Sequence, residues 1–160
     1  MIYTLIAFSG SFLGYFIANF TKDELKSGLI YFKILELAIL LILSIGFLYF
    51  SFSLVLFFFG VLFGVFFRKE YFYFGIGIFS NFNANVNFLA SGLVFIYGLP
   101  HGTMAFYRKR FFSLFYNLIW FFLPVIIYYL GYDMLSFAGG GLASLFVFKI
   151  RTYFGQSLHL

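Results

Sequence analysis

The chain has no cysteine. Disulfide staples, thiolate nucleophiles and Cys-ligated metals are therefore excluded. Proline occurs only at Pro100 and Pro124, and 9% of the 160 residues carry charge. A soluble domain carries about 25% charged residues. Too few polar groups remain here to coat a surface facing water. No stretch rich in Pro, Ser or charge reads as a linker, so residues 1–160 are expected to form one integral membrane domain. There is no Walker loop, HExxH or GxSxG string, carboxylate dyad or Cys–His cluster. No metal, cofactor or catalytic residue is expected.

What is present is apolar. Hydrophobic residues make up 64% of the chain, with 30 Phe and 13 Tyr, and the mean hydropathy is +1.04. The fold class expected is all-α, a polytopic transmembrane helical bundle. The net charge is +5. The basic residues sit between apolar runs, so they read as cytoplasmic flanks of membrane helices, and nucleic acid is not an expected partner. The first apolar run has no basic residues before it. Ala18-Asn19-Phe20 lacks the small-x-small pattern of a cleavage site, so the run reads as a retained helix.

Charges divide the chain. Residues 1–21 carry none, and Lys22, Asp23, Glu24, Lys26, Lys33 and Glu36 form the first polar stretch. Residues 37–67 are uncharged, followed by Arg68, Lys69 and Glu70; 71–107 carry only His101, followed by Arg108, Lys109 and Arg110; 111–148 carry only Asp133, before Lys149 and Arg151. A bilayer core takes roughly 20 helical residues. The first run is one span, and each of the other three fits two short ones. Turns fall at Ser51-Phe52-Ser53, at Asn81 to Asn87 and at Gly131-Tyr132-Asp133, where Asn and Gly suit the backbone. Seven spans follow, near 2–20, 30–50, 53–67, 71–81, 85–106, 112–130 and 134–149. This parity puts all four basic clusters on one face, which the positive-inside rule makes cytoplasmic. The N-terminus is then outside and the C-terminus inside. The fourth span is short, about 16 Å at 1.5 Å per residue.

Small residues let helices approach closely in lipid. Gly10 and Gly14 form one Gly-x3-Gly pair, Gly60 and Gly64 a second, and Ala138 to Ser144 a small-residue stretch. These faces serve packing within the bundle, or form a dimer face or a sliding surface for a moving helix. The partners expected are the lipid bilayer and a second copy or a membrane-complex partner. An offset of 82 residues aligns Ser9-Gly10 with Ser91-Gly92, Tyr15 with Tyr97 and Lys26 with Arg108. Two parallel three-helix units joined by the short fourth helix would account for this, an arrangement found in transporters.

Ionisable groups inside a span mark candidate sites. Glu36 either pairs with Lys33 and snorkels to the surface, or carries buried charge. His101 and Asn117 each lie seven residues from a basic cluster, at similar depth. With Asn19 they would form a polar layer under the cytoplasmic surface. His101 could titrate there. Pro100 cannot donate to a helix, and Gly98 and Gly102 permit an unwound turn around it. The binding candidates are therefore Glu36, His101, Asn117, Pro100 and Asn19. The string Tyr97-Gly98-Leu99-Pro100-His101-Gly102-Thr103 resembles the Gly-Leu-Pro-His-Gly motif of the membrane-bound Brp/Blh carotene-cleaving family. The acidic residue that family places soon afterwards is replaced by Ala105-Phe106. No second His lies in a span, since His159 is in the tail. One His cannot build a His-ligated iron centre, and the assignment is set aside. The alternating Asn81, Asn83, Asn85 and Asn87 read as an outer loop.

Three functions fit these features. Transport or binding of a small or lipidic solute is favoured by the Pro100 region and the lack of a water-soluble domain. A non-catalytic subunit or assembly factor of a larger membrane complex fits the small size. A membrane-embedded lipid-modifying enzyme fits the basic rim, although no nucleophile is evident.

Overall fold

The computed structural model describes residues 2–22, 25–80 and 83–155. Asp23, Glu24, Asn81, Phe82 and His159 lie outside the described residues.

The described chain is a bundle of helices: α1 (Ile2–Phe20), α2 (Leu25–Phe50), α3 (Leu54–Phe66), α4 (Glu70–Phe79), α5 (Ala84–Tyr107), α6 (Phe112–Phe122), α7 (Val125–Leu130) and α8 (Leu135–Phe154). Helices α1, α2 and α5 are long and apolar enough to cross a membrane, and α3 and α6 are shorter apolar helices. Their ends have local causes. The Asn83 side chain accepts from the Asn85 N–H at 3.0 Å and caps α5. Asp133 does the same for the Leu135 N–H at the start of α8. Gly131, at φ +69°, takes the left-handed backbone of the turn before it, which glycine adopts at little steric cost. Pro124 lies between α6 and α7, where its missing N–H interrupts the helix.

Two seams of small residues build the bundle. On α1, a side chain at Gly10 or Gly14 would run into the carbonyl of Phe95 or Leu99 on α5. On α5, Gly98 and Gly102 meet the Ser11 backbone in return. The Thr103 hydroxyl lies 3.2 Å from the Gly14 carbonyl across this seam. The second seam joins α3 to α8, with Gly60 against Phe137 and Gly140 against Phe57. In α3 only the two glycines are buried. Phe58, Phe59, Leu62 and Phe66 face outward, with Phe66 86% exposed. This is the inverse of a helix in water, which turns its apolar residues inward.

The short helix α4 occupies the centre. Every residue from Tyr71 to Ser80 is buried except Phe72, which is half-buried. Gly75 lies against the Phe121 carbonyl and Gly77 against the Phe47 ring. A helix enclosed by other helices need not match any outer thickness, and this explains its ten residues.

The structure differs from sequence expectation at several points. The span expected over 112–130 is two helices, α6 and α7, broken at Pro124. Helix α5 runs unbroken through Pro100, so no unwound turn forms there. Gly98 and Gly102 serve close approach to α1 instead. The two halves also pack differently. Gly10 is pressed against α5, whereas Gly92, its partner at the 82-residue offset, faces open space. Helix α2 lies on α5 and α8, whereas α6 lies mainly on α4.

Candidate functional site

All the basic stretches meet at one end of the bundle. The Lys22 ammonium lies 5.8 Å from the centre of the Phe106 ring, Lys33 5.4 Å from Tyr153, Lys69 4.5 Å from Tyr116, and the Arg68 guanidinium 3.8 Å from Phe148. These contacts join the α1–α2 connection to the end of α5, the first part of α2 to the end of α8, and the α3–α4 connection to both α6 and α8. Among them opens a cavity of about 340 Å³, lined in part by Arg68, Lys69, Arg108, Arg110 and Asn117, with His101, Glu70 and Lys149 deeper in.

The floor of this cavity is a charged network drawn from five helices. Glu36 on α2 is fully buried. Lys149 on α8 donates to Glu36 Oε2 at 2.9 Å, to Glu70 Oε1 at 3.0 Å and to the Tyr97 hydroxyl at 2.6 Å. An ammonium has three donors, so all of them are used. The Tyr153 hydroxyl donates to Glu36 Oε2 at 2.6 Å. His101 Nδ1 lies 3.2 Å from Glu36 Oε1, and its Nε2 lies 3.0 Å from the Asn117 amide nitrogen. A carboxylate only accepts, so Nδ1 carries the proton. An amide nitrogen only donates, so Nε2 accepts, and the ring is neutral. This tautomer follows from the network. An isolated carboxylate in such a place costs several kcal/mol. Here three donors, one of them the Lys149 ammonium of the ion pair, offset that cost.

Aromatic rings hold the network from below. The His101 ring stacks on Tyr97 at 5.8 Å and meets the edge of Tyr71 at 5.3 Å. The Tyr71 hydroxyl hydrogen-bonds Ser11. Phe74 packs on Tyr97 at 4.8 Å. Past this layer, at the other end of α4, lies a second cavity of about 200 Å³ lined by Tyr3, Thr4, Ile78, Phe79, Asn87, Val125 and Tyr129, none of them charged.

The structure brings Glu36, His101 and Asn117 together. Pro100 is buried on α5 beside them in sequence but contributes no polar contact. Asn19 is exposed on α1 and does not line the cavity. It ends its helix on the outward side, and depth alone did not reveal which face it occupied. Glu36 pairs with Lys149 rather than Lys33, whose ammonium lies over the Tyr153 ring. Sequence reasoning missed Lys149, Glu70, Tyr97 and Tyr153, because Lys149 and Glu70 read as ordinary loop charges. A signal existed in spacing: Tyr97 and His101, and Lys149 and Tyr153, are each i,i+4 pairs on one helix face. Among the described residues, no group of three His, Asp or Glu side chains is placed to hold a metal ion. The Ser113 and Thr152 hydroxyls lining the cavity donate to the carbonyls of Arg110 and Phe148.

No protein-family model, characterised protein or solved structure matches the chain. The functional reading therefore rests on the site itself.

Proposed function

We propose that the chain is an integral membrane protein that binds a small or lipidic solute in the cavity at its basic end, as a carrier or receptor for that solute. In this reading the bundle crosses the bilayer seven times, with α6 and α7 acting as one kinked span. The basic end faces the cytoplasm, as the positive-inside rule requires.

The outward-facing Phe, Leu and Ile side chains of α2 and α3 support the membrane placement. Monomeric soluble proteins rarely expose apolar patches above a few hundred Å². The observation that carries the functional reading is the charged floor of the cavity. Glu36 is entirely enclosed, yet His101, Lys149 and Glu70 keep 21%, 11% and 18% of their side-chain surface open. Apolar packing would hold these helices together without charges. A buried ionic network with one wet side is the arrangement expected where a polar solute must be received.

Native mass spectrometry of the full chain, released from a neutral detergent, tests this. A stoichiometric bound species is expected, and it should be absent from Thr152→Trp, which fills the cavity mouth from an exposed position. A bare chain in both, together with a Ser113→Cys variant inert to a water-soluble maleimide, would overturn the reading.

A further inference from the structure

We propose that the group recognised in this cavity is a phosphate ester. The inference rests on the cavity reading above and adds the chemistry of the ligand.

Half of the ten Lys and Arg residues, namely Arg68, Lys69, Arg108, Arg110 and Lys149, line this one cavity. Lys149 is committed to the floor. The other four have no carboxylate within ion-pair distance among the described residues; the ion pairs there all involve Glu36 or Glu70. With neutral His101 the floor carries two carboxylates and one ammonium, a formal charge of −1. The four rim cations bring the total to +3. A monocarboxylate would leave most of that charge unmatched. A phosphate monoester carries about −2 near neutral pH and offers three acceptor oxygens.

The geometry of the rim suits the same ligand. Three of its four cations are arginines, whose planar forks match phosphate oxygens in pairs. Two of the four are held in place before any ligand arrives. Arg68 lies over the Phe148 ring, and its Nε also donates to the Val65 carbonyl at 3.1 Å; Lys69 lies over the Tyr116 ring. Deeper in, the Asn117 amide nitrogen lies 3.0 Å from His101 Nε2, between the rim and the floor. Lys22, Lys26, Lys33, Lys109 and Arg151 do not line the cavity. They are an internal control for diffuse surface charge.

The phosphate could arrive on a water-soluble monoester or on a lipid headgroup, and two arms of one experiment separate these sources. The full chain is placed in phosphatidylcholine nanodiscs. One arm titrates glycerol 3-phosphate by calorimetry. The other adds phosphatidic acid to the nanodisc and reads bound lipid by native mass spectrometry. Saturable binding is expected in at least one arm, weakening as salt rises. Replacing Arg68, Arg108 and Arg110 together with Gln should weaken it about tenfold or more. Thr152→Trp, which leaves every charge in place, should also abolish it. Lys22→Gln with Lys26→Gln should change it by less than about twofold. Binding of glycerol 3-phosphate alone identifies a soluble ester, and binding of phosphatidic acid alone identifies a headgroup. No saturable binding in either arm overturns the proposal, as does equal loss in the Lys22/Lys26 control. If a species still co-purifies in the earlier experiment, only the phosphate assignment falls. If none does, the cavity reading falls with it.

Discussion

The Lys149 ammonium lies 2.9 Å from the Glu36 carboxylate, across 113 positions of sequence and between α8 and α2. It also holds Glu70 on α4 at 3.0 Å. One cation thus ties together two carboxylates from two helices at the end of the bundle where the charged groups collect.

Removing that cation should be costly. Lys149→Met leaves two facing carboxylates without their partner. Stability is expected to fall by about 3–5 kcal/mol, the usual cost of breaking a buried pair from one side. Glu36→Gln keeps shape and leaves Lys149 on Glu70, so its loss should be smaller, about 1–3 kcal/mol. Adding Glu36→Gln to Lys149→Met should recover part of the loss. Denaturant unfolding in detergent micelles reads all three. Equal effects of the two single variants would contradict this account of the network.

The glycines divide into two classes. Gly10→Val and Gly102→Val push a side chain into the backbone of the facing helix. They should cost about 1–3 kcal/mol or more, as overpacking does. Gly46 and Gly92 have open space where a Cβ would stand. Ala at either position should be neutral or raise stability by up to about 1 kcal/mol through helix propensity. Melting temperatures of the four variants check the ordering.

His101 is expected to carry its proton on Nδ1 and accept at Nε2. Nitrogen-15 NMR of histidine-labelled protein distinguishes the two ring nitrogens directly. Asn117→Leu removes the donor to Nε2 and should alter that resonance while leaving Nδ1 bound to Glu36. A proton found on Nε2 with Nδ1 bare would mean that Glu36 itself is protonated.

The absence of cysteine makes the chain suited to single-cysteine mapping. Lys22→Cys, Lys109→Cys and Thr152→Cys should react with an impermeant maleimide from the same side of a sealed vesicle. Asp133→Cys and Asn85→Cys should react only from the other. Mixed labelling within the first group would break the one-sided arrangement proposed for the charges.

The composition and charge spacing of the sequence determined that the chain is helical, and where most helices begin and end. Uncharged runs too long for one helix and broken by Ser, Asn or Gly leave few other solutions. They also marked Glu36, His101 and Asn117, because an ionisable or amide side chain inside an apolar run needs a partner. They could not name the partner. Lys149 and Glu70 stand next to loop charges, and their inward aim depends on how α8 and α4 rotate against α2. That rotation is set by close approach at Gly77, against the Phe47 ring, and at Gly139, against Ser44 and Leu48, and these contacts are non-local. The same applies to α4, whose short length reads as a weak span until its burial at the centre of the bundle is seen. Pro100 and Asn19 show the converse. Their local chemistry suggested a site, but the packing of α1 on α5 used Gly98 and Gly102 for contact and left Asn19 facing outward. Periodicity and charge act along the chain, so the sequence carries them. Side-chain convergence depends on which helix faces meet, and only the tertiary structure decided that.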